Sequence, residues 1–191
     1  MSNKPQTQPL STIPAAIEEP YPGLMCEWFH NPQIVIYRLT SISPSIVTYW
    51  QALVLQTLEN WDKSNPYLAM HDVSSPGVSL QYATLVRFDL LNIGITDSGR
   101  EQAESFFNLH PGFQARIAIG FNLSVSGQVS QTVMDRLKLK HPAITYKTFF
   151  NRERSLSWLF DAVLPKSAPK TTEETQEINA QNGNGVDNAA V

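Results

Sequence analysis

The chain contains a single cysteine, Cys26, among its 191 residues. One cysteine excludes an internal disulfide and any zinc or iron–sulfur site built on several thiolates, so we expect a reducing compartment and a packing role for Cys26. No run of about 18 apolar residues occurs, and residues 1–20 lack the apolar segment of a signal peptide. The sequence therefore predicts a cytoplasmic protein without an integral membrane segment.

Sequence patterns for nucleotide, metal and acyl-transfer chemistry are missing as well. The nine glycines form neither G-x-x-x-x-G-K nor G-x-G-x-x-G, and no G-x-S-x-G elbow occurs. The histidines are far apart in the chain: His30, His71, His110 and His141. His71 and Asp72 are neighbours in a predicted strand and point to opposite faces, which argues against a triad with Ser74. We expect no cofactor, no metal and no catalytic residue.

The middle of the chain has no excess of either charge. Residues 24–166 contain 12 basic and 11 acidic residues, whereas residues 167–191 contain one lysine and four acidic residues. A nucleic-acid-binding domain needs a broad basic surface, which this balance does not supply. We therefore expect no nucleic-acid partner.

Composition divides the chain into three parts. Residues 1–23 and 165–191 are polar and aperiodic, and such segments bury too little apolar surface to offset the entropy of ordering. The chain length and its 42% hydrophobic content suffice for one core. The sequence predicts a disordered N-terminal extension over 1–23, one α/β domain over 24–164 and a disordered acidic tail over 165–191.

Strands and helices alternate within the predicted domain. Segments 24–30 and 33–40 flank the turn Asn31-Pro32 and predict an antiparallel pair. Ser43 and Pro44 predict the start of a helix that runs to about residue 62. Periodicity predicts strands at 67–73, 113–123 and 143–150, and helices at 78–92, 98–109, 126–140 and 151–163. This order predicts a mixed, mostly parallel sheet of about five strands with an antiparallel N-terminal edge strand and four to five helices.

The last predicted strand runs into the last helix through the pattern FF-N-x-E-x-SLSWL. Its residues are Phe149, Phe150, Asn151, Glu153, Ser155, Leu156, Trp158 and Leu159. With the order of elements over 24–163, this pattern resembles the STAS-like superfamily, which includes single-domain anti-sigma-factor antagonists and the SpoIIAA-like group. The resemblance implies a STAS-like α/β domain that acts in signalling by docking to a protein partner.

The resemblance also implies where a partner would bind. In phosphorylatable antagonists the third strand leads to a D-S-[ST]-G-L motif, and here the matching stretch is HDVSSPGVSLQY, residues 71–82, without a D-S-x-G. The candidate phospho-acceptor or partner-contact residues are Asp72, Ser74, Ser75, Ser79 and Gln81. The serines also have structural interpretations, Ser79 as a helix N-cap and Ser74 and Ser75 as turn residues.

Basic residues cluster once, around the end of the 126–140 helix and the last strand-to-helix turn. The candidate anionic-partner patch consists of Arg136, Lys138, Lys140, Arg152 and Arg154, with Lys147 between them. Complementation of the helix dipole explains Lys138 and Lys140 equally well. The functional interpretation is an anionic partner or a membrane surface, with the acidic tail 167–191 as a hypothetical mask.

Two functions from different classes follow from these patterns. The first is a non-enzymatic protein-interaction module with the 74–79 loop and the second helix as its contact surface, controlled by serine phosphorylation in that loop. The alternative is a carrier of a small hydrophobic ligand or lipid, because SpoIIAA-like proteins are similar in topology to CRAL-TRIO lipid-binding domains and the apolar residues in 80–121 suit a pocket. An enzyme of another kind stays open, since a fold does not determine function.

Overall fold

The computed structural model of the chain describes residues 13–30, 33–75, 77–82, 97–137 and 141–163. The strands in these ranges are β1 (Ala16–Tyr21), β2 (Leu24–His30), β3 (Gln33–Leu39), β4 (Tyr67–Asp72), β5 (Ala115–Gly120) and β6 (Ile144–Phe149). The helices are α1 (Pro44–Asn60), α2 (described over 78–82), α3 (Asp97–Leu109), α4 (Val125–Leu137) and α5 (Arg152–Phe160). The predicted α/β class is confirmed, while residues 83–96 of the predicted 78–92 helix and its following turn lie outside the described ranges.

The strands form one sheet in chain order, β1-β2-β3-β4-β5-β6. β1 pairs antiparallel with β2, and β2 pairs antiparallel with β3. β3, β4, β5 and β6 are parallel, so their carboxyl ends lie along one edge of the sheet. The predicted mixed, mostly parallel sheet is confirmed, and it has one strand more than the sequence indicated.

The additional strand, β1, corrects the predicted domain boundary. The sequence places residues 1–23 outside the fold, but Ala16–Tyr21 pairs with β2 along the outer side of the sheet. Glu18, Glu19 and Pro20 obscure the strand pattern because charges and proline are typical of sheet edges, where they hinder pairing with other chains. The predicted acidic tail, 165–191, lies outside the described residues.

Two helix starts that the sequence predicts are confirmed. The Ser43 side chain accepts a hydrogen bond from the Ile46 amide at 3.3 Å, and Pro44 is the first residue of α1. The Asn151 side chain accepts a hydrogen bond from the Arg154 amide at 3.0 Å and caps α5. Each cap satisfies an amide that has no partner inside its helix, which defines where the chain turns from strand to helix.

The sheet separates two hydrophobic cores. The core under α1 and α3 includes Tyr37, Trp50, Trp61, Phe106, Phe113 and Phe121. The core under α5 includes Ile34, Ile36, Met70, Leu156, Leu159 and Phe160. Trp158 packs against the second core, with its ring centroid 5.6 Å from that of Phe149. Helices therefore cover both faces of the central strands, as parallel strands require.

The structure describes the environment of Cys26 and the lengths of the helices, which concern the predicted packing role of this cysteine and the predicted lack of a membrane segment. Cys26 is a free, buried thiol in the first core, and burial raises the pKa of the Cys26 thiol to about 12. Its environment is that of a packing residue. Within the described ranges, none of the helices combines the length and apolar character needed to cross a bilayer.

Candidate functional site

Four charged side chains meet on the α5 face of the sheet, close to the carboxyl ends of β3 and β4. Glu27 comes from β2, Arg38 from β3, Asp72 from the last position of β4 and Arg152 from the first position of α5. The register explains their common face, since Arg38 pairs directly with Asp72 and Glu27 pairs with Ile36, two residues from Arg38. We call Glu27, Arg38, Asp72 and Arg152 the charged cluster.

Ion pairs connect all four members of the charged cluster. Arg38 Nη2 lies 2.9 Å from Glu27 Oε1, and Arg38 Nε donates a hydrogen bond to Asp72 Oδ2 at 3.0 Å. Arg152 binds Glu27 with both terminal nitrogens: Nη1 donates to Oε1 at 2.9 Å, and Nη2 donates to Oε2. This bidentate geometry is the strong form of an arginine–carboxylate contact. The cluster thereby links β2, β3, β4 and α5.

The two carboxylates of the cluster are buried, the two arginines are partly exposed, and the positive and negative charges balance. Glu27 is 3% exposed and Asp72 is 4% exposed, while the side chains of Arg38 and Arg152 are 31% and 32% exposed. Hydrogen bonding to the Glu27 carboxylate raises the pKa of Arg152. Because each charge already faces an opposite charge at hydrogen-bond distance, we interpret the cluster as a clamp on the strand ends.

The predicted contact loop begins at this clamp. Asp72 Oδ1 accepts hydrogen bonds from the Ser74 amide at 3.0 Å and from the Ser74 hydroxyl at 2.6 Å, a local turn that aspartate favours. Ser75 is half-buried, and Gln81 on α2 is exposed. The structure therefore brings Asp72 and Ser74 into direct contact and leaves Ser75 and Gln81 at the surface of the same edge.

Ser79 is not the helix N-cap that the sequence predicts, because α2 already begins at Val78. This serine is fully buried in the first turn of α2, where its hydroxyl donates a hydrogen bond to the Val73 carbonyl oxygen at 2.7 Å. Its carbonyl oxygen accepts a hydrogen bond from the Ser130 hydroxyl of α4 at 2.7 Å. Ser79 thus joins α2 to the end of β4 and to α4, and in the folded domain its hydroxyl is closed to a kinase.

A second loop leaves the same edge of the sheet after β5. The Ser124 hydroxyl donates a hydrogen bond to Asn122 Oδ1, and the Gly127 amide donates to Ser124 Oγ at 3.2 Å. A Cβ atom at Gly127 would lie 2.0 Å from the Asn122 carbonyl oxygen, so only glycine fits there. This close approach turns the chain sharply from β5 into α4.

Large aliphatic side chains are exposed where these two loops enter their helices. Leu123 is 78% exposed and Val125 is 79% exposed, and Leu80 and Val129 are each more than half exposed. Gln81 lies next to Leu80 and is also exposed. We call Leu80, Gln81, Leu123, Val125 and Val129 the strand-end surface.

The hydrogen bond between Ser79 and Ser130 explains why this surface spans two helices. Leu80 follows Ser79 on α2, and Val129 precedes Ser130 on α4, so the bonded serines bring their exposed neighbours to adjoining helical turns. Val125 and Val129 are four residues apart and therefore share one face of α4. The chain order places all four residues in the loops and first helical turns that follow the carboxyl ends of β4 and β5.

The predicted basic patch loses one member in the structure. Arg152 is engaged with Glu27 and belongs to the charged cluster, so its charge is not available to a separate anion. Arg154 and Lys147 are exposed. Three further members have side chains outside the described part of the chain: Arg136, Lys138 and Lys140.

On the opposite face of the sheet, His71 lies in an aromatic cluster and not beside Asp72, as strand alternation predicts. Its ring centroid is 5.5 Å from that of Tyr37 and 5.0 Å from that of Trp50, both in edge-on contact. His71 Nε2 and Trp50 Nε1 are buried and make no hydrogen bond to any described residue. Burial lowers the pKa of His71 to about 4, so the ring is neutral at pH 7.

Two further histidines, His110 and His141, pack against aromatic rings. The ring centroids of His110 and Phe106 are 4.7 Å apart, and those of His141 and Phe107 are 5.3 Å apart. Of the residues that the structure describes, no three histidine, cysteine, aspartate or glutamate side chains are grouped so that they could hold a metal ion.

Two members of the charged cluster, Glu27 and Arg38, were not predicted as functional residues from the sequence. Each is a lone charged residue in an otherwise apolar strand, LMCEWFH and QIVIYRL. A charge in a strand that is covered on both faces indicates an opposite charge nearby, because an unpaired buried charge is costly. This signal identifies the two residues, but their pairing with Asp72 and Arg152 depends on strand register and on the crossover to α5.

Comparison of the chain with protein-family models, with curated proteins and with solved structures finds no match. The resemblance to the STAS-like superfamily therefore rests on the FF-N-x-E-x-SLSWL pattern and on the order of elements, and it stays a prediction. The class that the structure defines is an α/β domain with a six-stranded mixed sheet, a charged cluster on one face and exposed aliphatic residues at the carboxyl ends of its central strands.

Proposed function

We propose that this domain is a non-catalytic protein-interaction module that docks to its partner through the strand-end surface. The observation that carries the proposal is the exposure of Leu80 on α2, Leu123 in the loop before α4, and Val125 and Val129 on α4. Apolar residues grouped in this way on a protein surface mark interaction sites, whereas scattered single ones do not. We also propose a cytoplasmic location, because free thiols such as buried Cys26 are common in that reducing compartment.

The base of the strand-end surface is held by specific contacts, which suits docking. The Ser130 hydroxyl bonds to Ser79, and the Asp72 carboxylate holds the Ser74 turn. A surface that is already ordered loses little conformational entropy when a partner binds, so more of the contact energy is realised as affinity. Gln81 and the half-buried Ser75 supply a polar rim around the aliphatic centre, an arrangement common in protein interfaces.

Control by phosphorylation in the 74–79 loop is part of this proposal, with Ser74 and Ser75 as the accessible acceptors. A phosphate on Ser74 would face the Asp72 carboxylate that now accepts its hydroxyl hydrogen bond, and it would also approach the partly exposed Arg38 guanidinium. Repulsion by Asp72 and attraction by Arg38 would both rearrange the loop. The effect would reach the partner because this loop leads into α2.

Replacing both Leu123 and Val125 with glutamine should remove a specific protein from the set captured by affinity purification from native cells. Both side chains are largely exposed, so we expect little change in stability. Loss of two aliphatic contacts from the centre of an interface should weaken binding by about tenfold or more. The measurement is quantitative mass spectrometry of captured proteins, with the intact mass of the recovered chain showing any phosphate on Ser74 or Ser75.

Leu109→Gln is the matched control. Leu109 is 75% exposed at the end of α3, which leads to the amino end of β5 and so lies away from the strand-end surface. We expect this variant to capture the same proteins as the wild type. If the Leu123 and Val125 double variant captured every partner at the wild-type level, the strand-end surface would not be the docking site.

A second candidate function is a carrier of a small hydrophobic ligand or lipid. It is favoured by Trp50 Nε1 and His71 Nε2, two buried nitrogens without a described partner on adjoining rings in an aromatic cluster. A buried polar group that lacks a hydrogen bond costs about 1–3 kcal/mol. An apolar ligand with one carbonyl or hydroxyl oxygen would pair both nitrogens and remove that cost.

Native mass spectrometry of the gently purified protein tests the carrier. A carrier should show a discrete additional mass that disappears on denaturation, and Trp50→Phe should lose it because phenylalanine keeps a ring but has no N–H. Trp61→Phe should keep it, since Trp61 Nε1 donates to the Pro66 carbonyl oxygen at 3.2 Å and is not available to a ligand. A native mass equal to that of the chain alone would contradict the carrier.

A further inference from the structure

A cleft of about 430 Å³ lies at the amino ends of β5 and β6, at the opposite edge of the sheet from the strand-end surface. Arg116 and Thr145 line it from the strands, Gln114 from the residue before β5, and Asp161 from the end of α5. Its volume falls within the range of about 300–1,000 Å³ that is typical of small-molecule sites. Neither the charged cluster nor the strand-end surface contributes a residue to it.

Arg116 brings a positive charge to this cleft. Its guanidinium carbon lies 4.0 Å from the centre of the Trp158 ring, so the planar group is held over the indole face. Arg116 Nε is buried and makes no hydrogen bond to any residue that the structure describes, and no described carboxylate forms an ion pair with the guanidinium. The stacking positions the charge but does not neutralise it.

Asp161 adds a negative charge to the lining of the same cleft. It is exposed and stands at the C-cap of α5, where the carboxyl end of the helix adds a partial negative charge. Burial lowers the pKa of Arg116, and the Asp161 carboxylate acts on it in the opposite direction. The two groups therefore interact electrostatically, but they are not within ion-pair distance of each other.

We infer that this cleft binds a small zwitterion of the α-amino acid class. The ligand carboxylate pairs with the Arg116 guanidinium, and the ligand ammonium pairs with Asp161 and the carboxyl end of α5. Gln114 and Thr145 supply neutral hydrogen-bonding groups, and Pro66 and Ala115 supply apolar surface for a side chain. A simple anion is repelled by Asp161 and a simple cation by Arg116, so a molecule with both charges is favoured over either.

Isothermal titration calorimetry of the full chain with three matched probes tests the inference. L-Leucine carries both charges, 4-methylpentanoate lacks the ammonium group, and 3-methylbutylamine lacks the carboxylate. We expect saturable binding of leucine and at least about tenfold weaker binding of each analogue, because each loses one charged hydrogen-bonded contact. Absence of leucine binding, or equal binding of leucine and 4-methylpentanoate, overturns the inference.

Variants assign the binding to this cleft. Arg116→Met keeps an apolar chain over Trp158 and removes the charge, and it should weaken leucine binding about tenfold or more. Asp161→Asn should also weaken leucine binding. Because Asp161 is exposed, this variant should fold, and it tests the inference even if Arg116→Met unfolds. Arg154→Met, which removes an exposed arginine from the same helix, should bind leucine like the wild type. Wild-type affinity in Asp161→Asn overturns the inference, whatever the strand-end variants show in affinity capture.

Discussion

Replacing Glu27 with glutamine should lower the free energy of unfolding by about 3 kcal/mol, although the two side chains have nearly the same size. Glu27 is almost fully buried and pairs with Arg38 and Arg152. A neutral amide leaves both partly buried guanidinium groups without their shared counter-charge, and its NH₂ group faces their donors. Urea unfolding should show a lower midpoint with an unchanged slope.

Glu59→Gln provides the control for this change. Glu59 is exposed on α1, so the same chemical substitution should alter the free energy of unfolding by no more than about 0.5 kcal/mol. A loss below about 1 kcal/mol for Glu27→Gln would mean that the arginines are solvated well enough to do without Glu27. The clamp interpretation of the charged cluster would then be wrong.

Asp72 connects the clamp to the loop that leads into α2 and the proposed docking surface. One of its oxygens accepts from Arg38, and the other accepts from the amide and hydroxyl of Ser74. The carboxylate therefore anchors the predicted contact loop to the strand that carries Arg38. Any change that moves Asp72, including a phosphate on Ser74, is expected to disturb the ion pairs and the loop together.

The sequence was sufficient to predict most of the fold because the signals for its elements are local. Ser43 and Asn151 are caps that act within one helical turn, and the apolar runs of β4 and β5 reflect burial on both faces. β1 could not be predicted in the same way. Its residues are partly exposed at the edge of the sheet, and its stability comes from pairing with β2.

The candidate site was less predictable because its key contacts are long-range. Asp72 was identified at the end of a strand, but its partner Arg38 is 34 positions away, and Glu27 and Arg152 are 125 positions apart. Ser79 was predicted as a helix N-cap or a phospho-acceptor, but packing against α4 through Ser130 buries it. Such contacts depend on how the elements assemble, which periodicity and capping do not encode.

Acid should destabilise the domain through His71, by about 3 kcal/mol between pH 6.5 and pH 4. Burial lowers the pKa of His71 from its ordinary 6.5 to about 4 in the folded protein. Between these values the unfolded chain binds a proton that the folded chain does not, so lowering the pH favours unfolding. Above pH 6.5 the ring is neutral in both states, and below pH 4 it is protonated in both, so the loss is confined to this window.

His71→Phe isolates this contribution from the titration of carboxylates. Phenylalanine keeps an aromatic ring between Tyr37 and Trp50, cannot bind a proton and removes the unpaired Nε2. At pH 7 we expect the variant to be about as stable as the wild type or slightly more stable. The difference in urea-unfolding free energy between variant and wild type should grow as the pH falls from 6.5 to 4, because carboxylate effects cancel in that difference. Parallel pH profiles would mean that the folded protein accommodates the protonated ring, and His71 would then not be the neutral, buried group that its surroundings indicate.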